Sequence, residues 1–344
     1  MGAGILGTGS YLPAEVVTNE DLVRLVPDAD PQWVSRKTMI EARHFAAPEE
    51  AASDLAAAAA REALGDAGLD ARDIDFLIVS TSTGDSPQPP TSTLVQQAIG
   101  ATRAACFDIN VVCAGFVFAV GVANSLVAVN PGAKVLVIAS DVYSRILNFA
   151  DRRTAVLFGD GAGAAVLGAV PDGYGIRELE LVSRGDAADL IHVDAGGSRM
   201  PATAETVAHG DHYFRMQGRA VSGFVSSEVP PALETMLKRA GVPAEDVRHF
   251  VPHQANGVML ADLVEKAGLG SARTHLTLDR YGNLGSASVP VTLDEAARSG
   301  ALADGDLVLM AGFGGGMSVG ACLLRWWHPA GLPIGAGRAT PTPA

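Results

Sequence analysis

The chain has 344 residues, 48% of them hydrophobic and only 18% charged, with 39 glycines. That length and composition suit a compact α/β protein with ample buried core, built as one large or two medium domains. Its 38 acidic against 25 basic residues give a net charge of −13 with no Lys/Arg cluster. This argues against nucleic acid or an anionic membrane as a partner.

A first strand is expected at 3–9, and because MGAGILGTGSYLP lacks a basic leading region no signal peptide is read there. A helix over Ala51–Ala67 runs to a Gly stop, followed by strands at 76–83 and 104–109. Cys113 comes next, in FDINVVCAGFVFAV, a β-like run leading into a nearly uncharged helix, Ala114–Val129, that ends at Asn130-Pro131-Gly132. A thiol at the start of such a helix meets the helix dipole and unpaired N–H groups, which favour thiolate. Taken alone, a free cysteine is as often an inert core residue. The helix is interrupted by Asn124 and Ser125 and is shorter than the roughly 20 residues that span a bilayer, so no membrane segment is expected.

Strands at 133–140, 154–158 and 162–168 complete a first half, 1–170, with the boundary near Val170–Gly175. Periodicity weakens between 171 and 225, which reads as inserted loops covering or lining a site. A helix over Pro230–Ala240 and strands at 249–252, 306–312 and 317–325 make a second half, 171–327. The Pro/Gly/Ala/Thr-rich stretch 328–344 reads as a disordered tail. Cys106 and Cys322 fall inside apolar strands and read as core. The three cysteines form neither a CxxC pair nor a disulfide framework, which fits a reducing cytoplasm.

The two halves repeat. LGDAGLDARDIDFLIV (64–79) matches LKRAGVPAEDVRHFVP (237–252) at an offset of 173, and the glycine run from Phe158 looks like a copy of the run from Phe313. Carried along the repeat, His253 falls opposite Ser80, so the polar run His253-Gln254-Ala255-Asn256 is new at the end of a matched strand, where α/β ligand sites form. A lone histidine is more often a satisfied or surface residue. The same offset carries Cys113 to Ser286, three residues from Asn283 in YGNLGSASVP. The Cys113 and Asn283 loops should therefore face each other across a pseudo-twofold, although Asn283 alone reads as a turn or cap. Phe313-Gly314-Gly315-Gly316-Met317 can bring backbone N–H groups close to a reacting oxygen, whereas Gly159–Gly163 reads as a structural hairpin. No HExxH, no GxGxxG opening a βαβ helix and no GxxxxGK(S/T) occurs, so neither a metal nor a dinucleotide or other cofactor is expected.

VCAGF around Cys113, HQAN with His253, GNLGSASVP with Asn283 and FGDGAGA together resemble the β-ketoacyl synthase III group of the thiolase-like superfamily, from about Ile5 to Trp326. The resemblance implies a five-layered α-β-α-β-α fold from two duplicated halves, and a homodimer. Within the group the chain is most similar to the acetoacetyl-CoA synthase branch, through STSTGDSPQPPTS (80–92), DVYSRILNFADRRTAVLFGDGAGA (141–164), DAGGSRMP (194–201), FVPHQANGVML (250–260) and MAGFGGGMS (310–318). That branch is linked to mevalonate supply for isoprenoids. It implies acetyl-CoA and malonyl-CoA as substrates, a Cys113 nucleophile, His253 and Asn283 as enolate donors, and an oxyanion hole from the Cys113 and Gly315 amides. It further implies Trp33 and Arg152 around the CoA adenine, Gly218 and Asn256 on the pantetheine, and Phe313 in an apolar wall.

The fatty-acid-priming branch usually carries a Phe near Gln88, on a loop that reaches the partner subunit's acyl pocket. It also carries basic residues for the acyl carrier protein where this chain has Gly223, Val258 and Glu265. Carrier-protein use is thereby made less favourable, with Lys266 still in place. Other readings stay open on sequence: carrier-protein-dependent priming of fatty-acid or polyketide synthesis, a non-condensing acyltransferase, or a non-catalytic homologue. A thiolase would need a second cysteine that Gly314–Ser318 lacks.

Overall fold

The computed structural model describes residues 2–328, so the tail expected at 328–344 lies, beyond His328, outside the described residues. Strand β1 (Gly2–Tyr11) opens the chain. A small hairpin of β2 (Glu15–Thr18) and β3 (Ala42–Phe45) encloses helices α1 (Asn19–Leu22) and α2 (Pro31–Thr38). There follow α3 (Ala52–Ala67), β4 (Phe76–Ser80), α4 (Thr91–Ile99), β5 (Ala105–Ile109), α5 (Gly115–Val129), β6 (Val135–Val142), α6 (Arg152–Ala155) and β7 (Asp160–Val170). Five of these strands form one sheet in the order β1-β7-β6-β4-β5. The alanine-rich face of α3 lies so close on β1 that a side chain at Gly9 would come 2.3 Å from the Ala63 nitrogen. Glycine is therefore required there.

The second half begins with β8 (Gly175–Ser183), a ribbon of β9 (Ile191–His192) and β10 (Arg215–Met216), and the short α7 (Ala204–Ala208). It continues through α8 (Gly218–Ala240), β11 (His249–Pro252), α9 (Gly257–Lys266), β12 (Arg273–Thr274), α10 (Leu278–Tyr281), α11 (Ser288–Arg298), β13 (Leu307–Gly314) and β14 (Ser318–Arg325). The second five-stranded sheet runs β12-β11-β13-β14-β8. Helices α5 and α11 fill the space between the two sheets in a shared apolar core that includes Phe116, Val120, Val289 and Leu293. Residues of α3 and α4 cover the outer face of the first sheet, and those of α8 and α9 that of the second. The result is a five-layered α-β-α-β-α fold. The stretch Val112–Val129 is long and apolar enough to cross a membrane by length and composition, yet it is this inner helix, packed between two sheets.

The offset of 173 survives folding. The 3-10 turns Val112–Ala114 and Gly285–Ala287, the helix starts Gly115 and Ser288, and the left-handed glycine caps Gly68 and Gly241 all correspond.

Three expectations fail. The glycine runs are not positional copies: Ser140 pairs with Ala162 and Phe313 with Val319, so Phe313 lies inside β13 and matches Ser140 rather than Phe158. The first half instead inserts a long connection, 143–159, where the second half has only Gly315–Met317. The expected strand at 154–158 is absent. Asp151 caps α6 by accepting from the Arg153 amide, and the apolar residues Val156–Phe158 are buried beside the site rather than in a sheet. Finally, 171–225 is not all loop, because β8 is a regular sheet strand. Helix α8 starts at Gly218 and runs through Pro230 and Pro231. An interior proline costs about 3 kcal/mol, which burial of Val221, Val225, Val229, Leu233 and Met236 on the second sheet outweighs.

Candidate active site

Cys113 sits in a tight turn between β5 and α5. The Asn110 side-chain oxygen accepts from the Val112 amide at 3.2 Å, and Val112 adopts a left-handed φ of 46°. The counterpart turn is built alike: Asn283 Oδ1 accepts from the Gly285 amide at 2.9 Å, with φ 58° at Gly285. The second half thus places glycine where the backbone demands it. The first half forces a β-branched residue into the same conformation, storing on the order of 1–3 kcal/mol next to Cys113. Helix α5 has no side-chain cap at its start, and the amides of Ala114 and Gly115 there donate to the Val111 and Val112 carbonyls.

The helix start was expected to favour thiolate, but in this closed setting burial dominates. It pushes the Cys113 thiol up to about 12, with the Asp141 carboxylate adding to the effect. Opposing it are hydrogen bonds from the Cys113 amide, the Tyr143 hydroxyl and the Gly315 amide. The two amides named from sequence therefore converge on the sulfur. The repeat also makes these contacts reciprocal. At the end of β6, Asp141 accepts from the Ser286 hydroxyl at 2.7 Å, Ser286 being the counterpart of Cys113. At the matching place in β13, a side chain on Gly314 would come 2.8 Å from Cys113 Cβ.

His253 follows β11, where its amide donates to the Ala311 carbonyl at 2.7 Å and its ring meets Phe313 edge-on at 5.4 Å. Burial pulls its imidazole down to about 3, so it is neutral at pH 7, and Nδ1 has no hydrogen-bond partner among the described residues. Asn283 is fixed by the first half. Its amide donates to the Leu157 carbonyl at 2.9 Å and its carbonyl accepts from the Gly159 amide at 3.0 Å. With Oδ1 taken by Gly285, its Nδ2 remains as a donor. Cys113, His253 and Asn283 line one cavity of about 760 Å³, together with Trp33, Gly218, Asn256 and Phe313. Asn256 also caps α9 and donates to the Lys37 carbonyl at 2.9 Å.

Three residues named from sequence are not on this wall: Gly315, which follows the lining residue Gly314, Arg152 and Gln88. Arg152 stacks over the Trp33 ring at 5.2 Å and donates to the Asp28 carbonyl at the rim. Gln88 is exposed on the loop after β4, outside the cavity lining of its own chain. Sequence reading missed Lys37, Arg153 and Arg219, cations on the cavity wall of an otherwise acidic chain. It also missed the aromatic cluster beside Cys113, in which Tyr143 stacks on Phe158 at 4.4 Å and Phe214 meets both edge-on. The repeat could not flag them, because Tyr143 and Phe158 lie in the connection that has no counterpart.

Comparison with known proteins places this geometry. Residues 107–185 match the family model 3-oxoacyl-[acyl-carrier-protein] synthase III, and 237–326 match the model for its C-terminal part. The chain is 49% identical to the acetoacetyl CoA synthase NphT7 of Streptomyces sp. strain CL190, over 94% of this chain and 98% of the relative. It is 42% identical, with the same coverage, to the beta-ketoacyl-[acyl-carrier-protein] synthase III of Caldanaerobacter subterraneus. The crystal structure of 3-oxoacyl-[acyl-carrier-protein] synthase III from Aquifex aeolicus superposes with a TM-score of 0.87 at 35% identity, covering 94% of this chain and 100% of that one. The chain is a condensing acyltransferase that belongs to the 3-oxoacyl-[acyl-carrier-protein] synthase III family.

Proposed function

We propose that the enzyme carries out decarboxylative Claisen condensation of acetyl-CoA with malonyl-CoA, giving acetoacetyl-CoA, carbon dioxide and CoA. The observation that carries this reading is the convergence, in one cavity, of a thiol held by two amides with two neutral donors opposite. The Cys113 thiolate attacks acetyl-CoA, the Cys113 and Gly315 amides hold the oxyanion, and CoA leaves. Malonyl-CoA then places its thioester oxygen between His253 and Asn283 Nδ2. Those donors stabilise the enolate as carbon dioxide departs, and Phe313 disfavours the departing carboxylate. A neutral His253 suits this role, since its remaining ring N–H steadies the enolate oxygen without passing a proton to it. The enolate carbon attacks the acetyl thioester and releases Cys113.

Lys37 and Arg219 supply local positive charge for the CoA phosphates, Arg153 on the same wall being paired with Asp151 at 2.9 Å. Trp33 and Arg152 would part to take the adenine between them, and Gly218 and Asn256 would meet the pantetheine arm. The closed aromatic cluster at Tyr143, Phe158 and Phe214 favours a short starter. Free malonyl-CoA is preferred as extender because Lys266, the cation remaining on this α9 face, is already paired with Asp262 at 2.8 Å. Val258 and Glu265 beside it are exposed and carry no positive charge. We also propose a homodimer through the open edge of β5, whose residues Cys106–Ile109 are half-buried beside the Gln88 loop. Gln88 would then border the partner's acyl pocket.

Purified enzyme supplied with acetyl-CoA and malonyl-CoA, with products read by mass spectrometry, tests the reaction. Acylation of Cys113 without acetoacetyl-CoA sinks the condensation. A product formed only when malonyl-carrier protein replaces malonyl-CoA moves the enzyme to carrier-protein-dependent priming.

A further inference from the structure

A set of hydrogen bonds that this chemistry does not use converges on one buried carboxylate. Asp141 Oδ1 accepts from the Ser82 amide at 2.8 Å and from the hydroxyls of Ser82, Thr83 and Thr81 at 2.9, 3.1 and 3.4 Å. Its Oδ2 accepts from the Ser286 amide at 2.8 Å and the Ser286 hydroxyl at 2.7 Å. Every one of these donors is neutral. The Ser82 hydroxyl has a single proton, which its contact with Asp141 uses. Its oxygen is left to accept from the Tyr143 hydroxyl, 3.0 Å away. Tyr143 in turn acts on Cys113, its one proton turned to Ser82 while the thiol is protonated and to the sulfur once that is a thiolate. Ser82 and Tyr143 thus stand between the carboxylate and the nucleophile, hydrogen-bonded to Asp141 and to each other.

We propose that Asp141 takes the Cys113 proton through Tyr143 and Ser82, so that thiol and carboxylate share one negative charge. The proton on sulfur moves to the Tyr143 oxygen, the Tyr143 proton to Ser82, and the Ser82 proton to Asp141. The products are a thiolate and a carboxylic acid, with net charge unchanged. Asp141 keeps the proton through the acyl-enzyme stage. It returns the proton by the same line when condensation releases sulfur as thiolate, and the departing CoA thiolate takes its own proton from solvent.

Two charges in one dry pocket repel, and the structure carries both signs of that competition. Asp141 raises the thiol, and burial raises Asp141 above the usual carboxylate range. Of the other titratable groups nearby, Asp160 is engaged by the Ser144 hydroxyl and the Ala46 amide. His253, across the cavity, makes no hydrogen bond to Asp141.

The proposal rests on Cys113 being the nucleophile of the reaction above, so its test uses no thioester. Cys113 in the full chain is alkylated with iodoacetamide from pH 6 to 9 and followed by peptide mass spectrometry. Thiolate with carboxylic acid and thiol with carboxylate hold the same number of protons, so the wild-type rate is expected to stay flat across neutral pH. Asp141→Asn removes the acceptor. Its rate should fall at least tenfold at pH 7 and then climb about tenfold per pH unit, as the proton goes to solvent. If Asp141 were only a neighbouring negative charge, Asn would speed alkylation. Tyr143→Phe keeps the ring on Phe158, and Ser82→Ala leaves the fold around Asp141 in place. Both break the line and should lower the pH 7 rate at least tenfold, and they carry the test should Asp141→Asn not fold. A wild-type rate that already climbs tenfold per pH unit, a flat profile surviving in Asp141→Asn, or wild-type rates in Tyr143→Phe and Ser82→Ala overturns the proposal. A flat wild-type profile in an enzyme that forms no acetoacetyl-CoA would instead count against the substrates alone.

Discussion

The neutrality of His253 has a consequence for acid stability that can be measured without substrate. In the folded protein burial holds its imidazole down to about 3, against about 6.5 in an unfolded chain. Protonation therefore favours the unfolded state. The stability that a neutral His253 contributes is whole above pH 6.5 and is lost as pH falls toward 3, at about 1.4 kcal/mol per pH unit. Between pH 7.5 and pH 4.5 that amounts to about 2–3 kcal/mol. His253→Gln keeps a neutral, polar side chain and removes the titration. Urea unfolding of both proteins at the two pH values, at one fixed protein concentration, should show the variant losing about 2–3 kcal/mol less than wild type. His275, drawn down to about 4 chiefly by burial, and the buried carboxylates titrate in both proteins and cancel in the difference. Equal losses in the two proteins would refute a neutral, buried His253 and with it the donor role assigned to the ring.

Other substitutions probe the cavity and its supports. Phe214→Ala opens the aromatic cluster beside Cys113 and should shift the preferred starter from acetyl-CoA toward longer acyl-CoAs in a competition assay, at a stability cost of about 3–5 kcal/mol. Gly285→Ala places a methyl 2.4 Å from the Tyr143 ring and 2.5 Å from Asp141 at a positive φ. Backbone strain alone costs about 1–2 kcal/mol, so a lower melting temperature and loss of condensation are expected together. Lys266→Ala should leave the rate with malonyl-CoA unchanged, because that charge is already paired with Asp262; a large drop would restore a role for this face in extender binding.

Much of the site was legible because the chain repeats. The offset of 173 alone brought the Cys113 turn against the Asn283 turn, and the structure shows the same Asn-anchored turn in both. What a repeat cannot display is what only one half possesses. Residues 143–159 have no counterpart, and they hold Tyr143 and Phe158 as well as the backbone that fixes Asn283. Their Thr-Ala-Val-Leu-Phe pattern resembles a strand because a buried connection and a buried strand demand the same apolar residues. The prolines of α8 mislead for a related reason: local preference marks a break at Pro230, whereas the apolar face on either side is continuous. Asp141 and Tyr143, two residues apart, and Ser82 come from segments remote from Cys113, and only folding brings them to it.

The strained backbone at Val112 bears on how replaceable the two halves are. Gly285 occupies the matching position without strain, while Val112 lays its methyl groups against Gly315, where a side chain would come 3.1 Å away. Threading the second half's glycine into the first would relax the turn, yet remove the bulk that seats the terminal glycine loop over the sulfur. Gly314 offers no exchange either, since an aspartate matching Asp141 would run into Cys113. The molecule is thus a duplication that cannot be symmetrised. Its second copy of the turn supports the first and holds Asn283 on the same cavity wall as Cys113.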